Sequence, residues 1–490
     1  MTQTAFFDII DTINKKICRT FDREDVMRER LGSRLGFILL SAGCAIGVGN
    51  VWKFPYMAGQ HGGGIFVLFY ILFLVLLGLP VMVMEFSLGR ASQSSPVKLY
   101  QKLEKPGQKW HLHGYGALAA NVLLMMFYTS VTGWILYYFV KFLAGDMTGI
   151  TNEVSGQLFY NMQADPAVMV GFMAIVVMVA FLILSFGLQK GVERITKYMM
   201  IVLLLLMIIL AINGFTLSGA KEGLTFYLKP DFSKLSGNTI VGAMNQAFFT
   251  LSLGIGSMAI FGSYIGKDRS LTGESVNILV LDTFVAIVAG LIIFPACFTY
   301  DVQPNAGPKL LFVSMAKVFN NMPGGRWWGS LFFLFMFFAA MSTVIAVCEN
   351  ILACIRELTG WNRRKASIIC GVAVLLLSVP CALGFNLLSG FTPFTSESSI
   401  MDLEDFFVSY CALQLGSLCY VLFCVSKHGW GFDNFIKEAN TGKGLKLKKW
   451  MRPYIAYVIP TVIAVIFLMG IVNFEFADGF TILGWIKSLF

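Results

Sequence analysis

Apolar residues run along this chain in long blocks, and short polar or charged stretches separate them. A bilayer core about 30 Å thick takes roughly 20 apolar residues of helix to cross. Blocks of that order fall at residues 34–56, 64–89, 115–142, 167–186, 195–216, 240–263, 276–299, 327–355, 367–385, 404–426 and 453–474, which predicts eleven spans and an all-α polytopic membrane protein. Two of the blocks are interrupted. In the first, the stretch Ser41-Ala42-Gly43-Cys44-Ala45-Ile46-Gly47-Val48-Gly49-Asn50-Val51-Trp52-Lys53-Phe54-Pro55 sets three glycines, an asparagine, a lysine and a proline inside apolar sequence. Each glycine costs about 1 kcal/mol in a helix relative to alanine, so the helix is expected to break here. Unpaired backbone groups at membrane depth are tolerated only where they are buried in protein or line a cavity. Close helix packing on small residues would explain the glycines alone; Asn50 and Lys53 point instead to function.

The sixth block repeats the anomaly: Asn245, Gln246, Thr250 and Ser252 lead into Gly254-Ile255-Gly256. Five spans separate the two breaks, so they cross in opposite directions. Paired glycine-interrupted segments in two halves mark a binding site built from inverted repeats. The repeats would be 34–216 and 240–426, with 453–474 appended. Other polar groups lie inside spans. Glu85 and Arg90, at the end of the second, can pair. Tyr128 gains meaning if it faces the first break. Asp282 in the seventh span needs protein, an ion or a cavity beside it. Ser342 and Thr343 in the eighth are of a kind that usually bonds back to its own helix. Residues 401–406 form an acidic cluster where a helix start favours acids.

Composition narrows the class. Of 490 residues, 57% are apolar and 13% charged, with a mean hydropathy of +0.72, which excludes a soluble domain of this length. The net charge of +9 is a matter of placement. Lysines and arginines gather at 15–34, 90–109, 190–197, 267–269, 356–365 and 427–452, in alternate loops. The positive-inside rule then puts residues 1–33 in the cytoplasm and the tail 475–490 outside a cell (inner) membrane. The basic loops would meet anionic lipid rather than nucleic acid, and no obligate protein partner is implied. Residues 1–30 carry mixed charge, unlike a signal peptide. The ten cysteines show no CxxC and no outer-loop pair, so neither a disulfide framework nor a zinc site is expected. Trp52 and Ala259 stand where a dinucleotide fingerprint needs its third glycine, Gly266-Lys267 lacks the rest of a phosphate loop, and no HExxH occurs. No enzyme chemistry is indicated.

The motifs at 43–55, 245–256 and 339–343, with the turn His61-Gly62-Gly63-Gly64, resemble the first, sixth and eighth spans of the neurotransmitter:sodium symporters. The resemblance covers roughly residues 28 to 474, and eleven spans rather than twelve resemble a bacterial subgroup. It implies sodium-coupled symport of an amino acid by alternating access, with two sodium sites. The first would use Ala45, Asn50, Thr250 and Asp282. The second would use carbonyls of Gly43, Ile46 and Ala339 and the hydroxyls of Ser342 and Thr343. All are the oxygen donors that hard cations prefer. The cargo carboxylate would meet the backbone at Gly47 and Gly49 and the Tyr128 hydroxyl. Its amine would meet Ala45, Phe249, Thr250 and Ser252. Monoamine-carrying relatives have aspartate at the place of Gly47, so glycine implies a cargo with its own carboxylate. Cys44, Val48, Leu124, Phe249, Ile255, Thr343 and Val347 would line an apolar side-chain pocket. Tyr70, Gln246, Ser252 and Asp282 correspond to the chloride region of animal relatives. Here Asp282 replaces an asparagine and Ala286 a serine, so the resemblance implies chloride independence.

The chain also departs from the family. The outer gate would pair Lys53 with Asp405, where relatives use an arginine; lysine cannot make the bidentate fork. The inner gate would pair Arg28 with Glu357, but Leu31 replaces the tryptophan of relatives. Ile201 stands where many bacterial relatives have a fifth-span proline. A proton-coupled carrier, a non-transporting amino-acid sensor on the same fold and a channel are the rival expectations.

Overall fold

The computed structural model describes residues 29–147, 152–301 and 310–488. Nine helices are long and apolar enough to cross a membrane unbroken: Gly64–Ser92, His111–Ala144, Pro166–Ser185, Leu188–Phe215, Leu271–Thr299, Gly325–Thr359, Arg363–Leu383, Ile400–Val425 and Lys449–Asn473. Two further spans are made of half-helices. Arg34–Ala45 and Gly49–Gln60 meet at a bend of 54°. Gly237–Thr250 and Ser257–Gly262 are separated by a turn, residues 251–256. Among the described residues the eleven predicted spans are therefore all present, and the first and sixth are the broken ones.

Local chemistry sets several starts. Ser33 accepts the Gly36 N–H, Ser236 the Thr239 N–H and Asn362 the Lys365 N–H, each satisfying a donor that a helix start leaves unpaired. The fifth span begins earlier than the apolar pattern suggests, because a π-helical stretch, Leu188–Glu193, carries polar residues into it. Glu193 turns back to the first span and accepts the N–H groups of Gly32 and Ser33 at 2.7 and 3.1 Å.

Exposed leucines, isoleucines and valines recur one turn apart on the outer helices, as at Leu68, Leu72 and Leu76, or Ile368, Val372 and Leu376. They make the lipid-facing belt that nine or more crossings require. The eighth span lies deepest, and its buried run from Ala339 to Cys354 packs against the first and third spans. The face at which the chain enters the first span is here the entry face, and the opposite one the far face. At the far face the tail departs from the all-α expectation. Glu475–Ala477 pairs antiparallel with Phe480–Thr481, and Asp478 accepts the Ser396 N–H at 3.1 Å.

Glu85 and Arg90 do not pair. Glu85 is buried on the sixth-span side and accepts the Gly254 N–H at 2.5 Å. Arg90, also buried, reaches the entry face and donates to Glu438 at 2.6 Å and to the Arg269 carbonyl at 2.8 Å. Five residues apart on one helix, the two side chains point about 140° away from each other around the axis, so each finds its own partner.

Candidate functional site

The first span leaves helical geometry at Ile46, whose ψ of 95° is extended, and re-forms as a π-helical turn, Gly49–Lys53. The break frees backbone groups toward the third and eighth spans. The Val48 N–H donates to the Tyr128 hydroxyl at 2.8 Å, and the Gly47 N–H to Asn50 Oδ1 at 3.2 Å. A Cβ on Gly47 would run into the Tyr128 hydroxyl and Thr343 Oγ1, and one on Gly49 would meet the Phe249 ring. Both positions need glycine because neighbouring groups come close to the main chain.

One cavity lies against this break. Of the predicted cargo contacts, Cys44, Ala45, Gly47, Gly49, Leu124, Tyr128, Phe249, Ser252, Ile255 and Thr343 line it. Val48, Thr250 and Val347 do not. Val48 contributes its N–H, and its side chain is buried. Thr250 turns its hydroxyl to Asp282. Val347, one turn from Thr343, is wholly buried in the packing. Val408 and Leu413 of the tenth span line the cavity instead. Nothing in the sequence singles them out, because they are apolar residues within an apolar span. Space for the centre of a water-sized molecule amounts to only about 20 Å³, so side chains must move to admit a larger guest.

Two clusters of oxygens flank the cavity. In one, Thr343 Oγ1 lies 3.2 Å from the Gly43 carbonyl, 3.3 Å from that of Cys44 and 3.4 Å from that of Ile46. Ser342 Oγ lies 2.9 Å from the Ala339 carbonyl and 3.4 Å from that of Ile46. Ser342 thus bonds back to its own helix as well as reaching Ile46, whereas Thr343 faces the first span and the Tyr128 hydroxyl. In the other, Asp282 Oδ1 accepts from Asn50 Nδ2 at 2.8 Å, and Oδ2 from Thr250 Oγ1 at 3.3 Å. Ala45 stays on the cavity side. Tyr70 donates to Thr250 at 3.4 Å, and Gln246 donates to the Gly49 carbonyl at 2.9 Å. Ser252 turns to the Cys44 carbonyl at 3.4 Å and does not join Asp282.

The profile of the sodium:neurotransmitter symporter family matches residues 28–155 and 160–486. The chain belongs to this family. An uncharacterised sodium-dependent transporter of Bacillus subtilis (strain 168) is 36% identical over 90% of the chain and 98% of its own length. One from Haemophilus influenzae is 32% identical over 91% and 98%. The crystal structure of MhsT in complex with L-phenylalanine superposes with a TM-score of 0.82 at 37% identity, covering 90% of this chain and all of that one. The protein is thus a multi-pass membrane transporter.

The predicted outer gate of this symporter does not stand as expected. Lys53 and Asp405 do not pair. The Lys53 ammonium sits 3.8 Å from the centroid of the Phe249 ring, and Asp405 accepts from Ser409 of its own helix at 2.6 Å. A flexible lysine gains a cation–π contact by lying over the cavity's aromatic wall. Arg28 lies outside the described residues. Its predicted partner Glu357 accepts from Ser95, through the N–H at 3.0 Å and the hydroxyl at 2.6 Å. A network not predicted from the sequence closes the entry face. Glu29 accepts from Arg356 at 2.8 Å and Arg363 at 3.2 Å, and the Leu188 N–H also donates to it. Arg363 pairs in turn with Glu349, which accepts the Tyr264 hydroxyl at 3.0 Å. Burial pushes the Glu29 carboxyl up, but Arg363 and Arg356 outweigh it and leave it below the usual carboxylate range. The adjacent charges at 28–29 and 349–363 were the available signal, but their pairing spans more than 300 residues.

Proposed function

We propose that this symporter couples the uptake of an amino acid with an apolar side chain to sodium entry, by alternating access and without chloride. The observation that carries the proposal is the pair of oxygen clusters built on the broken first span. Oxygens about 2.4 Å from a shared hard cation, at right angles, stand about 3.4 Å apart. The hydroxyl–carbonyl spacings of 3.2 to 3.4 Å at Thr343 fit that arrangement better than the 2.7–2.8 Å usual for a hydroxyl hydrogen bond. Gly43, Ile46, Ala339, Ser342 and Thr343 would hold one sodium, and Ala45, Asn50, Thr250 and Asp282 the other. Asp282 receives only neutral donors, so a cation beside it would balance its charge.

The cargo carboxylate would lie at Gly47, Gly49 and Tyr128, and its side chain against Leu124, Phe249 and Ile255. The solved relative that holds L-phenylalanine supports an apolar side chain. Asp282 would supply the fixed negative charge that chloride supplies in animal relatives. The basic loops favour a cytoplasmic entry face, and the two broken spans favour inverted repeats at 34–216 and 240–426. Proteoliposomes with an imposed sodium gradient test the proposal across a panel of amino acids, in chloride and in gluconate. The expected result is accumulation of apolar amino acids that collapses without sodium and is equal in both anions. Accumulation of none of them, or dependence on chloride, would overturn it.

A further inference from the structure

The turn between the halves of the sixth span has left its helix, so the helical ladder does not place Ile255. Ser252, Gly254 and Gly256 all take positive φ, at 49°, 93° and 77°. Yet the Ile255 side chain forms part of the cavity wall, and a wall residue without a fixed backbone cannot define a pocket. The structure shows what fixes it. Asn121 of the third span donates through Nδ2 to the Ile255 carbonyl at 2.7 Å and to the Ala117 carbonyl at 2.6 Å. Asn350 of the eighth span reaches the Ile255 carbonyl at 3.4 Å. Both contacts of the Asn121 amide are to carbonyls, so only its NH2 group fits there and the orientation is set by chemistry. Its Oδ1 is buried with no partner. A buried acceptor left unpaired is a cost to the fold; only the donor side of Asn121 makes contacts, and what it does is hold the turn. Asn121 lies one and two turns from Leu124 and Tyr128 on the same helix, so a single span both lines the cavity and pins the opposite wall.

We infer that Asn121 is a positioning residue for selectivity: by holding the Ile255 carbonyl it fixes how large a side chain the cavity accepts. This rests on the amino-acid reading of the cavity. Released, Ile255 can retreat, and large side chains gain relative to small ones.

The test measures KM and kcat of sodium-driven uptake for phenylalanine and valine, together with binding of both to purified protein. The proteins are wild type, Asn121→Ser, Asn121→Asp, Ile255→Ala and the Asn121→Ser, Ile255→Ala double variant. Asn121→Asp keeps the shape but sets a carboxylate against two carbonyls. Both Asn121 variants are expected to shift the phenylalanine-to-valine affinity ratio about tenfold toward phenylalanine, with kcat for phenylalanine within about threefold of wild type. The double variant should shift no further than Ile255→Ala alone, because Asn121 acts through Ile255. An unchanged ratio with a uniform loss of uptake would overturn the inference, as would additive shifts in the double variant. Absence of amino-acid binding by wild type would overturn the parent reading first and would be seen without any variant.

Discussion

The residue that most sharply separates function from packing is Thr343. A hydroxyl in a membrane helix ordinarily satisfies itself on the preceding turn. Ser342 does so, but Thr343 spends its hydroxyl on three carbonyls of the neighbouring broken span. Replacing it by valine keeps the shape and removes one oxygen. A hydrogen-bonding or ligating group lost from a charge costs about 1.5–3 kcal/mol, so Thr343→Val should raise the sodium concentration for half-maximal substrate binding by about 10- to 100-fold. Ser342→Ala should raise it less, and the double Ser342→Ala, Thr343→Ala variant should lose sodium-dependent binding while expressing normally. Scintillation proximity binding against sodium checks this; retained sodium affinity in the double variant would mean that the hydroxyls only serve packing. Gly47 shows how much was legible at this scale. Its type announced a break, but the reason that no side chain fits, the Tyr128 hydroxyl and Thr343 converging on it, needed three spans in place.

At the scale of elements, the breaks were readable because glycine and polar residues are anomalous in hydrocarbon, and the spans because apolar length is. What the pattern could not supply was facing. The wall residues Val408 and Leu413 look like any apolar pair in a span, and Glu85 and Arg90 look like partners because they are near in sequence. Arg90 in fact ties the second span to the short helix Phe432–Ala439 of the loop after the tenth span, through Glu438. Removing one member of a buried pair leaves an uncompensated charge or unpaired donors, at a cost of about 3–5 kcal/mol. Glu438→Ala should therefore lower the thermal unfolding midpoint in detergent by several degrees, and a variant with Arg90→Met as well should recover part of that loss. A midpoint unchanged in Glu438→Ala would show the pair to be dispensable.

For the molecule as a whole, the closed entry face rests on Glu29 as a hub for the start of the first span, the fifth, the eighth and the ninth. Its carboxyl is held low by two arginines despite burial. A depressed carboxylate stabilises the closed form at any pH above its free value, about 4.3, and that contribution is lost as pH falls through the lower bound-state value. Closure should thus be insensitive to pH between 5 and 8. Glu29→Gln should mimic acid at neutral pH. A partly exposed pair contributes about 1 kcal/mol, so amide exchange in residues 29–36 should speed about fivefold in the variant; identical exchange would place the closing energy elsewhere. None of this closure was visible as a linear motif, because its charges come from segments hundreds of residues apart.

The loop after the tenth span offers a practical opening. Asn440 clasps Leu447 twice, donating to its carbonyl and accepting its N–H, each at 2.8 Å. Residues 441–446 are thereby closed into a small ring, whose inner side is stitched to the loop after the sixth span through Lys443, bonded to Asp268 and Ser270 at 2.9 Å. The tip beyond the stitches, at Leu445 and Lys446, stands in the open. Extra chain entering and leaving at one point adds little closure entropy and touches no bonded backbone. An epitope or a small fluorescent domain spliced between Leu445 and Lys446 would hang from a knot that is already tied, giving a tag that marks the sidedness of that face in whole cells without loosening the transporter.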